Sequence, residues 1–269
     1  MRGSWVWAVV AGLALTAGAA RADFAAGAAA YRAGDYQAAV AEWAALAAVG
    51  DADSQSMLGT MYLVGESVSQ DYSEAARLFG LAADQGSAEA QYDLAILFHD
   101  GKGVPQDDVE AARLFRLASE NGNARAQNNL GMMYLDGQGV PQDFAEAARL
   151  YRLAAEQGDA KAQVNLGNMY RMGQGVAQDY AEAVRLYRLA AAQRNAGAQA
   201  SLAARFALGQ GVPQDFIAAH MWANLAAANG NDRAPAARDA IAAAMTPADI
   251  SEAQRRAREC LASSYTRCD

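Results

Sequence analysis

The chain has 269 residues, with 22 basic against 30 acidic side chains and a formal net charge of −8. That balance opposes binding to nucleic acid or to an anionic membrane face, because both depend on clustered positive charge. With only two cysteines and two histidines, and no histidine beside another ligand at metal spacing, a zinc-type Cys/His cluster is excluded and no cofactor is expected.

The first element is a targeting segment. Arg2 supplies a charged start, Val6 to Ala20 is an uncharged apolar run, and Ala20-Arg21-Ala22 places small residues where a signal peptidase cuts. Residues 1–22 are therefore expected to be a signal peptide cleaved before Asp23. The run is short for a membrane span, and no later stretch approaches the ~20 apolar residues that one needs. No cysteine near the cut suggests a lipid anchor. The expected product is periplasmic or secreted, without stable membrane insertion after cleavage. Taking Arg2 and Arg21 from the 22 basic residues leaves 20 against 30 acidic ones, a net charge of −10.

Residues 51–230 repeat with a period of 36. GESVSQD at 65–71 recurs as GKGVPQD at 101–107, GQGVPQD at 137–143, GQGVAQD at 173–179 and GQGVPQD at 209–215. Leu58, Leu94, Leu130, Leu166 and Leu202 keep the period, and so do Gln55, Gln91, Gln127, Gln163 and Gln199. Within a unit the apolar spacing is helical. Leu130, Met133 and Tyr134 follow Ala126 at i+4, i+7 and i+8, and Leu150, Tyr151 and Ala154 follow Ala147 at i+3, i+4 and i+7. Each unit is expected to be two amphipathic helices, A and B, of roughly 12–14 residues.

Punctuation agrees with that division. Gly50, Gly86, Gly122, Gly158 and Gly230 stand where helix B would end on a left-handed residue, and Arg194 breaks their column, which predicts a distorted or frayed turn there. Asp51, Ser87, Asn123, Asp159, Asn195 and Asn231 come next as N-caps for the following helix. Helix B opens on Asp71, Asp107, Asp143, Asp179 and Asp215. Glu74, Glu110, Glu146 and Glu182 stand three residues after the first four, as capping boxes. The Gly-x-Gly-Val segment is accordingly a turn. A phosphate-cradling loop needs Gly-Lys-Ser/Thr at a helix start, but Gly101-Lys102 is followed by Gly103. Beyond 230 the period fades, and residues 234–245 and 247–262 read as capping helices, the second capped by Thr246. Cys260 and Cys268 in the tail read as one disulfide in an oxidising compartment, or else as two free thiols.

The unit A-Q-x-x-L-G-x-x-Y-x-x-G-x-G-V-x-Q-D-x-x-x-A-x-x-L-Y-x-x-A-A-x-Q-G resembles the Sel-one-like repeat, a relative of the tetratricopeptide repeat with a longer A–B loop. In that light residues 23–50, with Tyr31, Asp35, Tyr36, Trp43 and Leu46, look like a degenerate leading unit. Residues 231–269 become the C-terminal cap and tail. The implied fold is all-α, a right-handed α-solenoid of stacked helix pairs, since one pair cannot bury its apolar stripe and stacked pairs can.

The resemblance implies a protein–protein interaction scaffold or regulator that holds a peptide or protein segment in a concave groove. Envelope assembly, secretion, polysaccharide export and sensor-kinase control are settings in which exported relatives act. The alternatives are a cell-wall or polysaccharide binding protein and a β-lactamase-like hydrolase. Relatives linked to penicillin carry a cysteine pair in nearly every repeat, whereas this chain has one pair, outside the repeats. Ser-x-x-Lys, Lys-Thr-Gly, Gly-x-Ser-x-Gly and His-Glu-x-x-His are all absent, so no enzymatic activity is expected. By analogy with tetratricopeptide grooves, the partner-binding residues are Tyr92, Ile96, His99, Asn128, Met132, Asn168 and Arg171. Methionines in this set have inter-repeat packing as their other reading. His99 could equally serve as a cation near a helix C-terminus, and His220 is expected to pack within or at the edge of a helix B.

Overall fold

A computed structural model of the chain describes residues 24–266 and 268; the signal peptide expected over 1–22 lies outside them. Helices and turns account for the regular structure, with no strand among the described residues. Two compact units divide the chain at residue 123. The first holds α1 over 24–32, α2 (Tyr36–Ala48), α3 (Ala52–Val64), α4 (Tyr72–Asp84), α5 (Ala88–Asp100) and α6 (Asp108–Glu120). The second holds α7 (Ala124–Asp136), α8 (Phe144–Glu156), α9 (Ala160–Met172), α10 (Tyr180–Ala192), α11 (Ala196–Leu208), α12 (Phe216–Ala228), α13 (Ala234–Ala242) and α14 (Pro247–Ala262). Consecutive helices from α2 to α6 and from α7 to α13 pack on one another within their units, and α14 returns onto α12, so the fold is an α-solenoid of stacked helix pairs.

All ten repeat helices are 13 residues long because their ends are chemically marked. The side chains of Asp71, Asp107, Asp143, Asp179 and Asp215 accept hydrogen bonds from the first-turn amides of the helix B they open. Helix A ends on Gly65, Gly101, Gly173 or Gly209 in the left-handed conformation. The leading unit is stitched by aromatic rings, with Tyr31 and Phe24 centred 5.8 and 6.2 Å from Trp43.

Buried glutamines bind successive repeats. The Nε2 groups of Gln55, Gln91, Gln163 and Gln199 donate to Ala47, Ala83, Ala155 and Ala191 carbonyls at the end of the preceding helix B, at 3.2–3.3 Å. Their Oε1 atoms accept from Gln85, Asn121, Gln193 and Asn229. A buried amide with both ends paired stabilises the stack instead of penalising it.

Three local expectations are corrected. The capping boxes are one-sided: the amides of Asp71, Asp107, Asp143 and Asp179 donate to carbonyls of Tyr62, Phe98, Tyr134 and Tyr170 at the end of helix A. That leaves Glu74, Glu110, Glu146 and Glu182 to pair with Arg77, Arg113, Arg149 and Arg185 one turn on, each at 2.6 Å. The turn at Arg194 is regular. Arg194 adopts φ +65°, and the Arg194 and Asn195 amides donate to Ala191 and Ala190 as Gly158 and Asp159 donate to Ala155 and Ala154, while the Arg194 guanidinium lies 5.5 Å over the Tyr265 ring. Asn231 does not cap α13. Its side chain accepts from the Arg233 amide in a preceding turn, and the helix starts at Ala234 with Pro235 in its first turn. At the tail, Thr246 and Asp249 form a reciprocal capping box for α14, and Cys260 and Cys268 are disulfide-bonded with Cα atoms 4.6 Å apart.

Candidate functional site

Of the seven expected partner-binding residues, three lie in the first unit, where the fold engages two of them. The Tyr92 ring packs 5.8 Å from that of Phe115, with Ile96 half-buried one helical turn on. His99 Nδ1 is 2.7 Å from Asp108 Oδ1, which ties the end of α5 to the start of α6.

The other four belong to α7 and α9 in the second unit. Asn128 is only 3 % exposed. Its Oδ1 accepts from Asn165 Nδ2 at 3.0 Å, and its Nδ2 approaches Asn129 Oδ1 at 3.3 Å. Its amide is engaged within the fold, joining α7 to α9, rather than standing free as the sequence column suggests. Met132 is 44 % exposed on the same helix, and Met172 is 45 % exposed at the end of α9.

Asn168 and Arg171 converge on a buried hydroxyl. Helix α9 carries Gly167, over which the Tyr187 ring lies so closely that a Cβ there would sit 2.7 Å from it. The Tyr187 hydroxyl thereby reaches Asn168 and donates to its Oδ1 at 2.8 Å. Asn168 Nδ2 keeps no partner among the described residues. Burial raises the Tyr187 pKa, and the adjacent Arg171 and Arg205 guanidinium groups pull against that rise. One repeat earlier Tyr151 has no such partner: Met132 stands where Asn168 would, and the buried Tyr151 hydroxyl is unpaired among the described residues. Burial pushes its pKa up, and the Asp136 charge adds to the effect.

Arg205 is the residue that the motif reading passes over. It occupies the column of Met61, Leu97, Met133 and Met169, each at most 3 % exposed. Its guanidinium lies 5.9 Å from the Tyr180 ring centre and donates to Gln210 Oε1. Burial depresses its pKa; Tyr187 opposes that shift, and the like charge of Arg171 adds to it. Neither arginine has a carboxylate partner among the described residues, in contrast to Arg149 and Arg185 on α8 and α10. A charged residue in an otherwise apolar column was visible in the sequence, and aligning the helix-A columns would have found it.

The arrangement presents positive charge and an amide donor, so it can bind an acceptor. No group of three or more His, Cys, Asp or Glu side chains suited to a metal ion occurs among the described residues. No described helix is long and apolar enough to cross a membrane.

Comparison with known proteins agrees with the repeat geometry. The family model for the Sel1 repeat matches residues 52–87, 88–123, 124–159, 160–195 and 196–231. The chain is similar to a protective antigen of uropathogenic Escherichia coli strains that displays an SLR fold, with 32 % identity and a TM-score of 0.78 over 89 % of this chain and 53 % of that one. It therefore spans about half the length of that relative. A Sel1 repeat protein from Oxalobacter formigenes is similar at 30 % identity and a TM-score of 0.77, covering 88 % of this chain and 99 % of that one. No curated protein matches.

Proposed function

This chain belongs to the Sel1 repeat family, whose repeats generally mediate protein–protein interaction, and on that premise we propose that it is an exported scaffold holding a segment of another protein. The signal-like start at Arg2 to Ala22 supports export to the periplasm or beyond. The segment lies along the helix-A face of the second unit. One observation carries this placement. The recurring polar side chains of the repeat, its glutamines and capping aspartates, are used up by the fold, whereas Asn168 Nδ2 and the Arg171 charge are not. Exposed Met132 and Met172 flank them with adaptable apolar surface. Side-chain amides and a guanidinium beside flexible methionines suit an extended peptide, whose backbone supplies carbonyls and whose side chains supply area.

The test is photo-crosslinking in intact cells from position 172, with mass spectrometry of the adduct. A discrete protein adduct is expected in the periplasmic or secreted fraction. Joint substitution Asn168→Ala and Arg171→Ala should weaken capture while the melting temperature falls only a few degrees, since the change leaves one Tyr187 hydroxyl unpaired at a cost of about 1–3 kcal/mol. Undiminished capture would move the binding surface to the loops or to the helix-B face. Asn128 is left out of this variant because it is buried and bonded to Asn165.

A further inference from the structure

We propose that Arg171 and Arg205 together form a receptor for a carboxylate-bearing, acidic segment of the partner protein, with the free Asn168 amide as a third donor. The proposal rests on the scaffold reading above and specifies the chemistry of what the scaffold holds. Its first support is positional. A column filled by Met61, Leu97, Met133 and Met169 has no structural need of a guanidinium, and placing one there costs desolvation that a methionine would not. Its second support is the company the charge keeps. Arg205 from α11 and Arg171 from α9 both act on the Tyr187 hydroxyl and repel each other. No carboxylate answers either of them among the described residues, although acidic side chains outnumber basic ones in the chain. The Tyr180 ring and Gln210 steady the Arg205 side chain but are neutral, so they orient its charge without cancelling it.

Two half-buried guanidinium groups, of which that of Arg205 is oriented by Gln210 and the Tyr180 ring, match carboxylate oxygens through paired, charge-assisted hydrogen bonds. A long polyanion such as nucleic acid is disfavoured, because the net charge of −8 repels it over its length. A short acidic stretch of a protein needs only the local field. Asn168 Nδ2, whose Oδ1 is already committed to Tyr187, is left to donate to a carbonyl of the same segment.

The probe is a fluorescein-labelled hexaglutamate, compared with hexaglutamine, titrated by fluorescence anisotropy against the signal-cleaved chain. Two variants install residues that their columns already contain: Arg205→Met, as at Met169, and Arg171→Leu, as at Leu135. Hexaglutamate should bind at least about tenfold more tightly than hexaglutamine, weaken as salt rises, and lose about tenfold or more in affinity in either variant. Arg205→Met should melt at the same temperature as the parent or higher, a result that a structural arginine would not give. Equal binding of the two peptides, unchanged binding by Arg205→Met, or a lowered melting temperature of that variant would overturn the proposal. So would tighter capture of polygalacturonate than of hexaglutamate, since that would make the ligand an acidic sugar. If cell crosslinking yields the same adduct from the parent and from Arg205→Met, the scaffold reading stands and the acid receptor falls. If hexaglutamate binding depends on both arginines but no adduct forms in cells, the receptor stands and the scaffold reading falls.

Discussion

Gly158 and Gly175 both hold left-handed backbone, at φ +91° and +66°, but for different reasons. Around Gly158 there is open space for a side chain, so it serves only the chain reversal after α8. Gly175 lies against the start of α8 one repeat earlier, where a Cβ would be 2.1 Å from the Phe144 carbonyl oxygen. Gly211 meets Tyr180 in the same way, and Gly103 meets Tyr72. The Gly158→Ala variant should therefore lose roughly 1 kcal/mol, the left-handed penalty alone. Gly175→Ala should lose at least about 3 kcal/mol, because the clash with rigid backbone adds to that penalty. Urea denaturation of the two variants measures the difference, and equal losses would show that the loop does not rest on the preceding helix. The motif reveals that both glycines recur, yet only the fold separates a glycine kept for its φ from one kept for its missing Cβ.

The helical elements are legible because their boundaries are local. Thr246-Pro247 and the aspartates before helix B mark their helices to the residue, since a cap bonds amides two or three positions away. Helix α12 shows where locality ends. His220, in a column of Ala76, Ala112, Ala148 and Val184, is buried, and its Nδ1 lacks a partner among the described residues. Burial lowers its pKa from 6.5, with the Arg238 charge adding to the shift and Asp239 opposing it. A histidine whose folded pKa is depressed takes up a proton more readily when unfolded. Its neutral form supports the fold above about pH 6.5, and stability is lost as pH falls below that value. Thermal melts between pH 8 and 5 should show this decline, and His220→Val should flatten it. An unchanged slope in the variant would assign the pH dependence to other groups.

Within each of the two units the helices are held by contacts between sequence neighbours, apart from α14, which packs on α12. Stability is then close to a sum over repeats and their nearest-neighbour interfaces. Removing residues 160–195 deletes one complete repeat and lets Gln199 meet the end of α8 as it now meets the end of α10, so the variant should stay helical and unfold cooperatively at a lower temperature. Removing residues 160–177 instead deletes a helix A with most of its loop and leaves α10 without a mate, so helical circular dichroism should fall beyond the loss of those residues. Similar behaviour of the two deletions would contradict nearest-neighbour stacking. The acid receptor would be lost in both, since each removes Arg171.

The period of 36, the two helices per repeat, the aspartates that open helix B and the glycine turns were determined by the sequence alone, because each depends on residues a few positions apart and is written several times over. The tertiary structure decided what those residues meet. Asn128 and Asn165 are 37 positions apart, and their bond turns an apparently free groove residue into a strut between α7 and α9. Arg171 and Arg205 come from different repeats, and their closeness at the Tyr187 hydroxyl follows only from how α9, α10 and α11 stack. A periodic sequence shows which positions recur. Whether a departing residue is buried, paired or left with an unanswered charge depends on the neighbouring repeat, and that is a property of the stack.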